Sequence, residues 1–308
     1  MEIDFTKKFN VGLTTRTSLR GADKFFKKYA PYINEVYFSA PLGDNFHTRR
    51  GIQRRFKKPR TVKKFWKLLD IILRHGIQLE MVLNTTMLTE ADILSSRRLL
   101  DEHGVNISSV CFVSEYYDAV KKAFPDKKYI CSFNNLLRSV DDIQNVKGEY
   151  DSFVLGGALI RANDAFSYVR QSGAKVVLLL NNGCSFNCRG CRSSKYCKPV
   201  FLSNLKEHSL DYLYALQSVL PPELYDGTID VNQVDYFKIS NRSSKLKYLQ
   251  KCLDSYMTNS TEKYIRRGFI NYSLWGRMGE FWPRYHKINK KKMLDCKAEI
   301  LGHSLDIK

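Results

Sequence analysis

The sequence has no apolar run of the roughly 20 residues that a membrane-spanning helix needs, so no membrane span is expected. Its first ten residues carry charges where a secretory signal needs an apolar stretch, which predicts a cytoplasmic location. Peptidase patterns are missing too: we find no Ser/His/Asp arrangement, no His-Glu-x-x-His zinc motif and no paired aspartates in a recognisable setting. The sequence thus disfavours a membrane protein and the familiar peptidase mechanisms.

Acidic residues are also in short supply. The 308-residue chain has 31 acidic and 50 basic residues, which gives a formal net charge of +19. The excess is concentrated in residues 49–67, which hold ten basic residues and no acidic one. Because such a field attracts polyanions, RNA, DNA and acidic lipid surfaces are the candidate partners, and the concentration of charge in residues 49–67 predicts contact with nucleic acid there. The alternative is a generally lysine-rich composition that serves mainly solubility.

Cysteine is sparse outside one short segment. Four of the eight cysteines fall within 14 residues. They are Cys184, Cys188, Cys191 and Cys197. In a cytosolic protein, such clustering indicates metal or redox chemistry rather than structural disulfides. Cys111 and Cys131 stand inside apolar runs and are predicted to be buried small residues. Cys252 and Cys296 are isolated, and the sequence assigns them no role.

Eight apolar runs recur along the chain, and several are nearly continuous, which suits strands buried on both faces of a parallel sheet. They cover residues 9–14, 35–39, 78–84, 109–113, 129–133, 152–155, 175–180 and 235–240. Helices are predicted at 61–75, 89–100 with Thr89 as the N-cap, 116–124, 164–172, 203–219 and 245–257. The apolar face of the helix 61–75 contains Val62, Phe65, Trp66, Leu69, Ile72 and Leu73. Eight strand–helix repeats predict an α/β fold, a closed (β/α)₈ TIM-like barrel, with an open doubly wound sheet as the structural competitor.

The predicted barrel occupies residues 1–257, with a cysteine-rich loop at 182–203 inserted after strand seven. Residues 258–308 form a short, basic and aromatic C-terminal extension. Its large aromatic residues favour plugging one end of the barrel, because such side chains usually serve to bury area. The alternative is that aromatic and basic side chains together stack on and hold single-stranded nucleic acid.

The cysteine segment has the spacing Cys-x₃-Cys-x₂-Cys-x₅-Cys and begins directly after strand seven. Barrel enzymes place their chemistry at the carboxyl ends of strands. Four thiolates from so short a stretch can hold one 4Fe–4S cluster, each sulfur binding one iron. Basic neighbours would lower the thiol pKa values and offset the cluster's negative charge. Structural zinc on the same four thiolates is the alternative, and unligated thiols are the third reading.

Cys-x₃-Cys-x₂-Cys is also typical of radical S-adenosylmethionine enzymes. Two features argue against that class, which stays an alternative. Six candidate strands precede Cys184, whereas the signature normally follows the first strand of its barrel. Gly190 stands where that signature usually has an aromatic residue.

Three residues near strand ends are candidates for catalysis. Lys238 and Arg242 end strand eight, where they would bind an anionic substrate or form a salt bridge at the barrel rim. His47 lies between strand two and its helix, on the functional face of a barrel, although an exposed loop histidine is the commoner case.

Four further residues are candidates for binding substrate. Arg49 and Arg50 share the loop of His47 and suit phosphate or carboxylate binding. Asn84 and Asn134 stand at the ends of strands three and five, as polar substrate contacts or as strand-capping groups.

Residues 234–257 resemble the eighth strand of the collagenase-like peptidase family U32, whose pattern is Phe-Lys-Ile-Glu-Gly-Arg. Phe237, Lys238, Ile239 and Arg242 match that pattern, while a Ser-Asn pair replaces its Glu-Gly pair. Shorter similarities include Val36–Tyr37 in strand two, Asn84 after strand three, and Ser132 with Asn134 near strand five. The family also carries a His-Gly-Ala-x-Cys stretch, and this chain has Asn182, Gly183 and Cys184 near that place, without the histidine.

The resemblance implies a barrel with a four-cysteine cluster. Family members of this kind take part in oxygen-independent hydroxylation of RNA bases or of quinone precursors. We therefore expect an iron–sulfur-dependent redox or hydroxylation-type modification with RNA as the first-choice substrate. The alternatives are a radical S-adenosylmethionine-like enzyme, a non-catalytic zinc- or cluster-stapled nucleic-acid-binding protein, and a peptidase, as the family name says.

Overall fold

A computed structural model describes residues 2–12, 18–39, 58–83, 88–135, 137–156, 159–180, 219, 221–239 and 246–259. Eight parallel strands pair in sequence order, and the eighth pairs with the first, so the sheet closes into a barrel. The strands are β1 (Phe9–Gly12), β2 (Ile33–Phe38), β3 (Gln78–Leu83), β4 (Ser109–Phe112), β5 (Lys128–Cys131), β6 (Ser152–Leu155), β7 (Lys175–Leu179) and β8 (Tyr236–Ile239). This topology confirms the predicted (β/α)₈ barrel and excludes the open sheet.

Seven α-helices belong to the described part of the chain. They are α1 (Leu19–Tyr29), α2 (Pro59–Arg74), α3 (Glu90–Glu102), α4 (Tyr117–Ala123), α5 (Val140–Gln144), α6 (Asn163–Gln171) and α7 (Leu246–Thr258). None of the described helices is long and apolar enough to cross a membrane. The predicted helix 203–219 and the extension 258–308 fall almost wholly outside the described residues.

Helix α3 begins where the sequence predicts it, at a cap built by two side chains. The Thr89 hydroxyl accepts a hydrogen bond from the Asp92 N–H (3.2 Å), and the Asp92 carboxylate accepts one from the Thr89 N–H (2.8 Å). This reciprocal arrangement pairs two N–H groups that the helix itself leaves without acceptors. The prediction of Thr89 as the N-cap is confirmed.

Helix α2 buries a broader face than the sequence predicts. Phe65, Trp66 and Ile72 are buried as expected, and Leu68 is buried in addition. The prediction for Leu73 is wrong, because 37% of it is exposed. Leu73 lies in the last turn, one residue before the helix ends, where fewer neighbours remain to cover a side chain.

The barrel has two separate apolar regions, because successive strand residues point to opposite faces of the sheet. The larger region lies between the sheet and the helices, and it includes Cys131 and Cys252. The smaller fills the barrel lumen and includes Tyr37, Cys111 and Val177. Cys111 and Cys131 are both buried, as predicted.

Candidate active site in the barrel lumen and at its mouth

Lys238, a predicted site residue, lies inside the barrel rather than at its rim. Strand β8 pairs with β1 and β7 and directs Lys238 into the lumen, while the neighbouring Phe237 and Ile239 pack outward. The ammonium donates a hydrogen bond to Glu80 Oε1 and forms an ion pair with it. The exposed fractions of the two side chains are 7% and 0%. The salt-bridge reading of Lys238 therefore fits this arrangement, but the bridge is buried.

Two other strands complete the surroundings of the ammonium. Lys238 Nζ lies 4.5 Å from the centre of the Tyr37 ring, on β2. Cys111 Sγ, on β4, lies 3.9 Å from the same nitrogen. The Tyr37 hydroxyl donates to the carbonyl oxygen of Ile239 (2.5 Å), which ties β2 to the end of β8. We call Glu35, Tyr37, Glu80, Cys111 and Lys238 the lumen cluster.

The lumen cluster keeps its lysine charged and its thiol neutral. Burial works against the ammonium ion, but attraction from the Glu80 carboxylate outweighs that effect and raises the pKa of Lys238. Burial raises the pKa of Cys111 to about 12, against the lowering influence of Lys238. An ammonium ion has no lone pair to attack with, and a thiol is a weak nucleophile. In this arrangement neither group is an activated nucleophile.

Glu80 can accept a further hydrogen bond. One carboxylate oxygen takes the ammonium of Lys238, whereas the other, Oε2, is buried and receives no hydrogen bond from the described residues. A buried carboxylate oxygen without a donor is costly, so it has a strong preference for any donor that reaches it.

A second carboxylate, Glu35, lies lower in the lumen. Its Oε1 accepts hydrogen bonds from the hydroxyls of Ser108 (2.8 Å) and Ser109 (2.9 Å), and Asn10 Nδ2 lies 3.5 Å from its Oε2. Burial, and then repulsion from Glu80, raise the pKa of Glu35 above its ordinary value. Among the described residues, the lumen thus holds two acidic groups, Glu35 and Glu80, near the ammonium ion of Lys238.

Asn134, another predicted site residue, lies beyond the carboxyl end of β5. It belongs to a short 3₁₀ helix, Phe133–Asn135, and it is exposed; its N–H donates to the Ser132 hydroxyl (3.2 Å). The adjacent Asn135 joins the ends of β4 and β5: its Oδ1 accepts from the Ser114 N–H (2.7 Å), and its Nδ2 donates to Cys131 Sγ (3.1 Å). Asn134 therefore lies on the face where barrel enzymes bind substrates.

The remaining predicted site residues lie outside the described residues, and their roles stay predictions. They are Cys184, Cys188, Cys191, Cys197, His47, Arg49, Arg50, Asn84 and Arg242. Within the described residues, no group of three or more His, Cys, Asp or Glu side chains could hold a metal ion.

Sequence reasoning did not select the carboxylates of the lumen cluster. Glu35 and Glu80 each interrupt an apolar strand, and an acidic residue within such a run is the signal that could have revealed them. Their shared partnership with Lys238 had no local signal, because Glu80 and Lys238 are 158 positions apart.

The described residues before and after the cysteine segment lie next to each other. Strand β7 ends at Leu179, and the Val219 N–H donates to the carbonyl oxygen of Leu180 (2.8 Å). A buried ion pair then holds the returning chain, with Arg161 Nε and Nη2 donating to the two oxygens of Glu223 at 2.6 and 2.8 Å. Leu180 and Val219, the described residues on either side of positions 181–218, are therefore hydrogen-bonded to each other at the carboxyl end of β7.

No protein-family model and no curated protein matches the sequence. Among solved structures, a U32 peptidase is similar with a TM-score of 0.45 and 12% identity, covering 79% of this chain and 96% of that protein. An L-alanine-DL-glutamate epimerase from Burkholderia xenovorans has a TM-score of 0.42 and 11% identity, covering 78% of this chain and 59% of that protein. A pneumococcal exo-β-D-N-acetylglucosaminidase module has a TM-score of 0.42 and 10% identity, covering 97% of this chain and 98% of that one. Similarities this low identify neither a family nor an activity, so the strand pairing alone establishes the barrel.

Proposed function

We propose that this chain is a divergent U32-like barrel protein whose four cysteines hold a 4Fe–4S cluster. Its activity is a redox or oxygen-independent hydroxylation-type modification in the cytoplasm, with RNA as the first-choice substrate. The observation that carries the proposal is the hydrogen bond between Leu180 and Val219, the residues that flank the cysteine segment, at the carboxyl end of β7. That end of the barrel is where (β/α)₈ enzymes carry out chemistry.

Chain length supports a site near the mouth. Cys184 follows Leu180 by four residues, and an extended chain covers at most about 3.6 Å per residue, so the two Cα atoms are within about 14 Å. Four soft thiolate ligands in 14 residues also suit the iron of a cubane cluster in number and chemistry.

Each part of the chain then has a distinct role. A cluster of this type supplies single-electron transfer. Arg49, Arg50, Asn84 and Asn134 contact the substrate at the mouth, and His47 and Arg242 are the candidates for acting on it. Lys238 holds the Glu80 carboxylate in place, and Glu80 Oε2 is available as a hydrogen-bond acceptor inside the lumen.

A non-catalytic metal-stapled nucleic-acid-binding protein is the second candidate. The same four thiolates are an acceptable ligand set for tetrahedral zinc, and the net charge of +19 suits a nucleic-acid partner without any chemistry. The peptidase reading gains no support from Cys111, which is buried and protonated in the lumen.

Single replacements of cluster cysteines separate these functions. Cys184→Ser and Cys188→Ser variants are introduced into a strain that lacks the gene, and nucleosides from its RNA are compared by mass spectrometry. Cys296→Ser, outside the cluster, is the matched control. Loss of one modification with retained protein supports the enzyme. An RNA modification pattern that is the same with and without the gene contradicts the enzyme function. Collapse of the folded protein in the cysteine variants favours the non-catalytic metal-stapled nucleic-acid-binding protein.

A further inference from the structure

Charge is divided unevenly around the ring of helices. Helices α1 and α2 together contain nine basic and two acidic side chains. Helices α3 to α6 contain five basic and eight acidic ones. A generally lysine-rich composition would spread basic residues over all helices, so the excess on α1 and α2 is local.

The basic side chains of α1 and α2 lie on neighbouring helices, because the two helices pack against each other. Residues spaced by three or four positions share one face of a helix. We call the following exposed residues the basic ridge: Arg20, Lys24, Lys27 and Lys28 on α1, and Lys58, Arg60, Lys63 and Lys67 at the start and along α2.

Among the described residues, acidic side chains neutralise little of the ridge, although Asp254 on α7 attracts Lys28. Asp23 binds His75 (3.0 Å) and Asp70 binds Arg74 (3.4 Å), so both acidic residues of these helices already have partners at the far end of α2. Within the described residues, no ion pair involves Lys24, Lys63 or Lys67.

The first turns of α1 and α2 differ in charge from those of the next four helices. Helices α3 to α6 each have an acidic residue in the first turn, where the positive end of the helix dipole favours it. Helices α1 and α2 have none there, and Arg20 and Arg60 occupy those turns instead. Basic residues at this end disfavour the helix, whereas a bound anion would be attracted by both the side chains and the dipole.

The geometry favours a nucleic-acid backbone over a lipid surface. Helix α2 has 16 residues and is therefore about 24 Å long, which matches a run of several phosphates. A helix that binds in a membrane interface inserts large apolar side chains. Only Tyr32 and Leu73 are exposed large apolar residues in the described part of the chain, at 36% and 37%.

The ridge also begins at the correct end of the barrel. Helices that follow strands start at the carboxyl face, so the first turns of α1 and α2 lie beside the ends of β1 and β2. Strand β8 separates β1 from β7, where the cysteine segment departs. A strand of nucleic acid on the ridge would therefore lead to the mouth.

We propose that the basic ridge binds the phosphate backbone of RNA and leads it to the barrel mouth. The choice of RNA rests on the proposed function, while the location of the surface rests on the charge distribution. Segment 49–67 contributes its second half to this surface, and α1 adds a part that the sequence did not indicate.

The test compares two triple variants of the full chain that lose the same charge. The ridge variant is Lys24→Gln, Lys63→Gln and Lys67→Gln. The control is Arg98→Gln, Lys121→Gln and Lys128→Gln, three exposed positions on α3, α4 and β5. Glutamine is chosen because its helix propensity is close to that of lysine and arginine. Binding of a labelled 20-nucleotide single-stranded RNA is followed by fluorescence anisotropy from about 50 to about 200 mM KCl.

The logarithm of the association constant falls as the logarithm of the salt concentration rises, and the loss of three phosphate contacts makes this slope less steep by about 2. That change corresponds to roughly 100-fold weaker binding at 0.1 M salt. The control should bind within about threefold of the unchanged chain. Equal weakening in both variants, or no weakening in the ridge variant, overturns the proposal. Ridge-dependent binding to phosphatidylserine vesicles without RNA binding also overturns it. The binding assay does not depend on which metal is bound. A protein that contains zinc and binds RNA through the ridge would therefore refute the redox function while supporting the proposed RNA-binding surface.

Discussion

Replacing Lys238 by methionine removes the only ammonium that contacts Glu80 in the described structure. The two side chains are 7% and 0% exposed, and Glu80 Oε2 has no donor among the described residues. The Glu80 carboxylate would be left buried and without a counter-charge. Breaking one side of such a pair costs about 3–5 kcal/mol. We expect Lys238→Met to lower the free energy of unfolding by that amount.

A double variant distinguishes the lost charge from lost packing. Lys238→Met combined with Glu80→Met replaces the ion pair by apolar side chains of similar length, which is often neutral or stabilising. The free energy of unfolding is measured by urea denaturation with an unchanged m value. We expect the double variant to regain most of the stability that either single variant loses.

Two results would refute this reasoning. A loss below about 1 kcal/mol in Lys238→Met would mean that the pair behaves like a surface salt bridge. Additive losses in the double variant would mean that Lys238 and Glu80 are not coupled.

Three other predictions follow from the described residues. The pKa of Glu35 is higher in the folded chain than its ordinary value of 4.5. The contribution of Glu35 to folding stability is therefore complete below pH 4.5 and is lost as the pH rises through the pKa of the folded chain. Glu35→Gln should therefore gain stability relative to the unchanged chain as the pH rises above 4.5, and urea midpoints that move the other way would contradict this. Thr89→Ala should cost about 1 kcal/mol through loss of the α3 cap, while Thr89→Ser should cost much less; equal losses would show that the hydroxyl is not the cause. Iodoacetamide should leave Cys111 and Cys131 unmodified in the folded chain, because both are buried with raised pKa values, and peptide mapping that finds either one alkylated before unfolding would refute their burial.

The strands were predictable because a parallel barrel buries both faces of its sheet. All eight predicted runs coincide with strands, and their ends agree within two residues. The run ending at Phe133 is one of the larger differences, since β5 stops at Cys131 and the chain turns into a 3₁₀ helix held by Asn135. Continuous apolar sequence specifies a strand well, but its last residue depends on such local side-chain bonds.

The lumen cluster was not predictable, because its contacts come from strands distant in sequence. A shift of one residue in β8 would have turned Lys238 to the helices, and no local pattern states which face it takes. Helix α1 was also not predicted. Gly21 lowers its intrinsic propensity, and the Ser18 hydroxyl that accepts from the Gly21 N–H (3.1 Å) offsets part of that loss.

The central claim is that the cysteine segment holds an iron–sulfur cluster. Anaerobic purification followed by iron, sulfide and zinc analysis, with absorbance and electron paramagnetic resonance spectra, tests it most directly. The account predicts a brown protein with about four irons and four sulfides per chain, lost in Cys191→Ser and retained in Cys296→Ser. One tightly bound zinc and no iron would contradict the claim and favour the metal-stapled nucleic-acid-binding protein.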